Sequence, residues 1–141
     1  VTPYRVLVTG SRDWPTSGVV WAALNDVRAE LLPSGRPLVV VHGACPTGAD
    51  AQAADWAAIT GQFTTGVTIE RHPARDFGPW PACGPFRNKH MVSLGADACF
   101  AFIGSCTRPR CHRPDPHPSH GASHCAHLAE QAGIPVRRWT A

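Results

Sequence analysis

The chain predicts an α/β fold: a doubly wound, mostly parallel sheet of about five strands with helices on both faces. Three observations predict it. Short apolar runs alternate with helical patterns from one end to the other. Such alternation builds parallel sheets covered on both sides. The run Leu38-Val39-Val40-Val41 is apolar at every position, as a strand buried on both faces must be. Glycine-bearing loops follow several of these runs, and in open sheets of this type ligands sit outside the carboxyl ends of the strands.

The elements follow in order. Arg5-Val6-Leu7-Val8-Thr9 reads as the first strand and runs into Gly10-Ser11-Arg12-Asp13. Val20, Leu24, Val27 and Leu31 recur at helical spacing, with Thr16 or Ser17 as the cap and Pro33 with Gly35 as the stop. Leu38 to Val41 is the second strand. A helix from about Ala49 to Thr60 follows, stopped by Gly61. Val67-Thr68-Ile69-Glu70-Arg71 alternates as a third strand. After a loop rich in proline, glycine and aromatics, Pro85 suits the first position of a helix marked by Arg87, Met91 and Leu94 and closed by Gly95. Ala98 to Ile103 is a fourth, buried strand. Gly121 to Gln131 forms the last helix with Gly133 as its stop, and Val136 opens a short final strand.

The totals bound the function. A chain of 141 residues, 43% hydrophobic, is read as a single domain over 1–141. No apolar run approaches the ~20 residues of a membrane helix, and Val1-Thr2-Pro3-Tyr4-Arg5 lacks a signal-peptide layout, so the expectation is a cytoplasmic protein with no membrane partner. The net charge of +3 comes mostly from arginine, with Arg108, Arg110 and Arg113 close together and Arg137 beside Arg138. A solvated basic face is favoured over nucleic-acid binding, for which no reader motif is present.

The most informative stretch is His42-Gly43-Ala44-Cys45-Pro46-Thr47-Gly48-Ala49-Asp50, a strand, a glycine loop and a helix start. Backbone N–H groups at such a junction can hold an anion. Gly43 and Gly48 either let a phosphate approach closely or make a plain tight turn. Asp50 either complements the helix dipole or bonds a ribose hydroxyl. Arg12 and Arg87 are the expected anion clamps, with salt bridges to Asp13 or Asp76 as the alternative. Phosphate is expected between the helix starting near Gly48 and the one starting near Pro85. Asn88 is expected to cap or to orient a base. Gly10, Ser11, Ser119 and Gly121 offer a hydroxyl and close backbone contacts at two other strand ends. Trp14, Phe77 and Trp80 lie in the edge loops, either to stack on a base or to pack.

A second feature is the insertion at about 104–120. From Cys106 to His127, three thiols and five imidazoles occupy 22 residues, and Pro109, Pro114, Pro116 and Pro118 deny the segment regular structure. A structural zinc would supply order with four Cys or His ligands. Cys106, Cys111, His117 and Cys125 are chosen, with His120 as a substitute for His117; a Cys106–Cys111 disulfide and unlinked thiols are the alternatives.

Four motifs in this order carry a family resemblance: the first strand into Gly10-Ser11-Arg12-Asp13; His42-Gly43-Ala44 with Thr47-Gly48-Ala49-Asp50; Gly84-Pro85-Phe86-Arg87-Asn88 before Met91; and Ser119-His120-Gly121-Ala122. The chain resembles the SLOG superfamily of Rossmann-like domains, and more narrowly its YspA/YpsA-related group. The resemblance implies a nucleotide or nucleotide-derived ligand, bound by a sensor or binding module. Because the superfamily includes the Lonely Guy phosphoribohydrolases, it also admits an N-glycosidase acting on a nucleoside monophosphate. Those enzymes follow a Gly-Thr pair closely with a catalytic glutamate; here Gly121-Ala122 leads into Ser123, His124 and Cys125, and Glu130 comes more than two turns later. A nucleic-acid-associated role that uses the arginine patch is the remaining alternative. A homodimer is consistent with the same resemblance.

Overall fold

A computed structural model describes residues 2–109, 111–114 and 116–141. Arg110 of the basic cluster lies outside them. The elements are β1 (Tyr4–Gly10), α1 (Ser17–Leu31), β2 (Leu38–His42), α2 (Gly48–Phe63), β3 (Val67–Arg71), α3 (Cys83–Ser93), β4 (Ala98–Ile103), α4 (His120–Gln131) and β5 (Val136–Thr140). Short 3₁₀ turns at Leu32–Ser34 and Ala74–Phe77 complete the path.

All five strands are parallel, in the order β3-β2-β1-β4-β5. The chain builds outward from β1 to β3, then returns to the other side of β1 for β4. The winding direction therefore reverses between β1 and β4, the position at which open sheets of this kind form their binding crevice.

Strand alternation sorts the core into two layers. Val6, Val8, Val40, Phe100 and Phe102 pack on one face against Val20, Leu24 and Val27 of α1 and Ala53, Trp56 and Ala57 of α2. Leu7, Val41 and Cys99 point the other way, onto Met91 and Val92 of α3 and Cys125 and Ala129 of α4. Ala101 and Ile103 meet Ala122 and Ala126 on that same side. Each fully buried valine or leucine contributes roughly 1.5–3 kcal/mol. A sheet covered on both faces thus follows directly from runs with no polar alternation. Among the described residues no helix is long and apolar enough to cross a membrane.

Three boundaries depart from expectation. Gly61 does not stop α2, which runs to Phe63. The positive φ that turns the chain back is at Gly66 (+85°), so Gly61 is an interior glycine, tolerated at modest cost. α3 starts at Cys83, placing Pro85 inside the first turn, where its missing N–H is not needed. α4 starts at His120, one residue early. Thr16 caps α1, its hydroxyl accepting from the Gly18 N–H at 3.1 Å.

Candidate ligand rim and Cys/His cluster

At the crevice between β1 and β4, Ser11 is 2% exposed. Its Oγ accepts from the Gly104 N–H at 2.7 Å, and its own N–H donates to Phe102 O at 2.9 Å. Ser11 O in turn accepts from the Ala49 N–H at 3.3 Å. Gly10 and Gly48 make this convergence possible. A Cβ on Gly10 would overlap Ala49, and one on Gly48 (φ +72°) would overlap Ser11 O and the Arg12 backbone. Both glycines therefore let protein approach protein, which is a packing role.

The β2–α2 loop is closed on itself in the same way. Asp50 is 6% exposed, and its Oδ2 accepts from the Cys45 N–H at 3.3 Å. Burial pushes its carboxyl up to about 6, against the pull of the Cys45 and Gly43 N–H groups and of the Arg87 and Arg12 charges. The Ala44 N–H goes to His42 Nδ1 at 3.0 Å. Of the amides expected to cradle a phosphate here, those of Ala44 and Cys45 are held by side chains and that of Ala49 by Ser11 O, while those of Gly48 and Asp50 meet no acceptor among the described residues. The start of α3 offers no more: the N–H groups of Cys83, Gly84 and Phe86 donate to Pro79, Pro81 and Ala82 carbonyls. Few open amides therefore remain between the starts of α2 and α3, where phosphate is expected.

Arg87 lies over Gly43, where a Cβ would displace it. Its Nη1 donates to Gly43 O at 2.6 Å and His72 O at 3.3 Å, and its Nε to Asn88 Oδ1 at 2.9 Å. Its Nη2 has no hydrogen-bond partner among the described residues. Asn88, 5% exposed, reaches α4 through Nδ2, to Gly121 O at 3.4 Å and His124 Nδ1 at 3.3 Å. Burial, then the Lys89 and His127 charges, lowers the His124 pKa. Arg12 lies against Trp80, its Cζ 5.0 Å from the centroid of that ring, which is 64% exposed, and like Arg87 it acts on the Asp50 carboxyl. Among the described residues neither arginine pairs with Asp13 or Asp76. Trp14 is core, edge-on to Phe102, and Phe77 packs on His90.

The start of α4 carries open donors as well. The Ser119 N–H donates to Gly104 O at 2.9 Å and the Ser123 N–H to Ser119 O at 3.2 Å. Between them, the N–H groups of His120, Gly121 and Ala122 meet no acceptor among the described residues. The first turn carries no acid, and the Ser119 hydroxyl makes no cap. A Cβ on Gly121 would meet nothing within 4 Å. Glu130 sits in the last turn and pairs with Arg138.

His42 is a residue the sequence reading left without a role. It is 1% exposed. Because Nδ1 accepts from Ala44, the ring proton is on Nε2, which is buried without a partner among the described residues. Burial, then the Arg71, His72 and Arg87 charges, pulls its pKa down to about 4.

The insertion gathers Cys106, Cys111, His117 and His120, with all four ligand atoms within 4.8 Å of one another. This Cys₂His₂ group could hold a metal ion. The Cys111 Sγ lies 3.4 Å from His117 Nε2 and 3.5 Å from His120 Nε2, and the two Nε2 atoms are 3.0 Å apart. Cys125 is not part of it. It is fully buried against Leu7, Cys99 and Ala129, and burial pushes its thiol up to about 11. The apolar stripe Ala122, Cys125, Ala126, Ala129 places it on the inner face of α4, and His120 takes its place as the fourth ligand. The signal was present as His117-x-x-His120. All six cysteines are free in this structure, Cys106 and Cys111 included. Two hollows, of about 530 and 230 Å³, lie elsewhere, at the α3–α4 ends near Val92 and Ile134 and beside Tyr4 and Arg137.

Comparison with known proteins gives two matches. A family model, YAcAr (YspA, cpYpsA-related SLOG family), matches residues 4–75, just over half of the chain. Gene 61 protein of Mycobacterium phage D29 is 42% identical over 133 residues, covering 94% of this chain and 93% of that protein. No solved structure matches.

Proposed function

The chain belongs to the YspA, cpYpsA-related SLOG family, and from that premise we propose that it binds a nucleotide or nucleotide-derived small molecule at the carboxyl edge of its sheet. One observation carries the reading. α4 begins with three N–H groups that meet no acceptor among the described residues, no acid and no side-chain cap, and Asn88 links Gly121 to an Arg87 whose Nη2 is also unused among those residues. A helix start of this kind carries about half a positive charge and favours an anion. A phosphate there would take its second set of donors from Arg87. Asn88 acts as a positioning residue, fixing Nε of Arg87 on one side and Gly121 on the other. Trp80, exposed on the rim beside Arg12, offers a face for a base.

The resident metal of this reading is a structural zinc in the Cys₂His₂ group. Six free thiols in one chain suit a reducing cytoplasm. The role is binding without turnover: the only glutamate of α4 is committed to Arg138, far along the helix from its start.

Titration of zinc-loaded protein with adenosine 5′-monophosphate tests the reading. Saturable binding is expected, weakened about 10- to 100-fold in Arg87→Ala, the loss of charge-assisted bonds worth about 1.5–3 kcal/mol. Equal affinity in parent and variant would remove Arg87 from the site.

A further inference from the structure

We propose that Cys106, Cys111, His117 and His120 form a closed tetrahedral zinc site whose occupancy fixes the first turn of α4, so that the metal controls the anion-binding end of that helix. The second half of this inference rests on the ligand reading above; the first half stands without it.

The spacing of the ligand atoms fits the metal. Zinc bonds of about 2.3 Å to sulfur and 2.0 Å to nitrogen give tetrahedral edges of about 3.5 Å from sulfur to nitrogen and about 3.3 Å between nitrogens. The Cys111–His117, Cys111–His120 and His117–His120 separations are 3.4, 3.5 and 3.0 Å. The His117 ring is also oriented as a ligand. Its Nδ1 lies 2.9 Å from Pro114 O, so Nδ1–H donates there and Nε2 turns its lone pair toward the group. A backbone carbonyl behind a ligating imidazole is the usual outer support of a metal site. Four protein ligands leave no open position, so the site is structural. Loading replaces the protons of two thiols: each zinc bound releases two protons, and two thiolates neutralise the ion.

The backbone around the group is already tied to the sheet. The Cys106 N–H donates to His117 O at 2.7 Å, and Ser105 pairs with Pro118 as an antiparallel bridge. The Ser119 N–H then joins Gly104 O at the end of β4. The next residue, His120, is both a ligand and the first residue of α4. With no cap from Ser119 and no acid in the first turn, that turn has little of its own to hold it. The metal supplies the hold through His120.

The experiment has three arms on the full chain. Metal analysis and cobalt(II) substitution read the site. About one metal per chain is expected, with the visible bands of tetrahedral cobalt and a thiolate charge-transfer band. Cys106→Ser and His120→Ala should lose them and Cys125→Ala should keep them. Metal-free protein after reduction, or loss of the bands in Cys125→Ala with retention in His120→Ala, overturns the site. Amide hydrogen exchange reads the coupling. Removing zinc should speed exchange at the hydrogen-bonded amides of residues 123–126 at least 10-fold and leave β1 and β2 unchanged; unchanged exchange at 123–126 overturns the control of α4. Titration with adenosine 5′-monophosphate, with and without zinc, reads the consequence. Binding that survives zinc removal overturns the coupling. Absence of binding to zinc-loaded protein overturns the ligand reading instead, while exchange at 123–126 still decides the hold on the helix.

Discussion

Two buried titratable residues flank the glycine loop and pull stability in opposite directions with pH. His42 has its pKa lowered to about 4 by burial, from an ordinary 6.5. The unfolded chain binds that proton first, so this contribution is complete above pH 6.5 and is lost as pH falls toward 4. Asp50 has its pKa raised to about 6 by burial, from 3.8. The folded chain holds that proton longer, so its contribution is complete below pH 3.8 and is lost as pH rises through 6. Over the shared window each is worth up to about 3 kcal/mol. Glu70, held near 2 by Arg5 and then by His72, acts below this window. Urea unfolding between pH 4 and 7 should therefore show Asp50→Asn losing stability more steeply than the parent toward acid, and His42→Asn less steeply. Parallel profiles in all three proteins would mean that neither group is buried as described. At this scale the sequence revealed Asp50 and Arg87 as unusual but not their work. That Asp50 consumes the loop amides is a contact between side chain and backbone that spacing alone does not disclose.

The loops and helix starts separate glycines that make room from glycines that bend. Gly43 faces the far end of a flexible side chain, the Arg87 guanidinium, whereas Gly48 combines φ +72° with the fixed Ser11 carbonyl. Gly43→Ala should cost less than about 1 kcal/mol of folding stability, because Arg87 can swing aside, yet weaken nucleotide binding as Arg87→Ala does. Gly48→Ala should cost more than about 2 kcal/mol, from the left-handed backbone and the overlap together. Denaturant titrations of both variants beside binding measurements check this; equal destabilisation would contradict it. Strands β2, β3 and β4 were legible because continuous or alternating apolar runs leave few options. Gly61 was read as a stop because glycine is common there; the tertiary path instead required its positive φ at Gly66. Cys125 was read as a ligand because sequence neighbours look like spatial ones. One helical face later, it is core.

Across the whole molecule, the reversal of winding between β1 and β4 decides where a ligand can rest. The alternation of elements predicted the parallel sheet and its carboxyl rim, and the family assignment agrees. It could not say which of the rim's helices keeps its donors free, since that depends on contacts such as Asp50 with Cys45 and Cys83 with Pro79. Among the described residues α3 closes its own start and α2 closes part of its own, while α4 leaves three donors open, linked to Arg87 through Asn88 and adjoining the Cys/His cluster. The central claim is that an anionic ligand is held at that open start. Backbone amide chemical-shift mapping of zinc-loaded protein with adenosine 5′-monophosphate tests it most directly. The account predicts the largest shifts at His120, Gly121 and Ala122, with smaller ones at Ser11 and Gly104. Shifts centred on residues 43–49 instead, or none at saturating nucleotide, would contradict it.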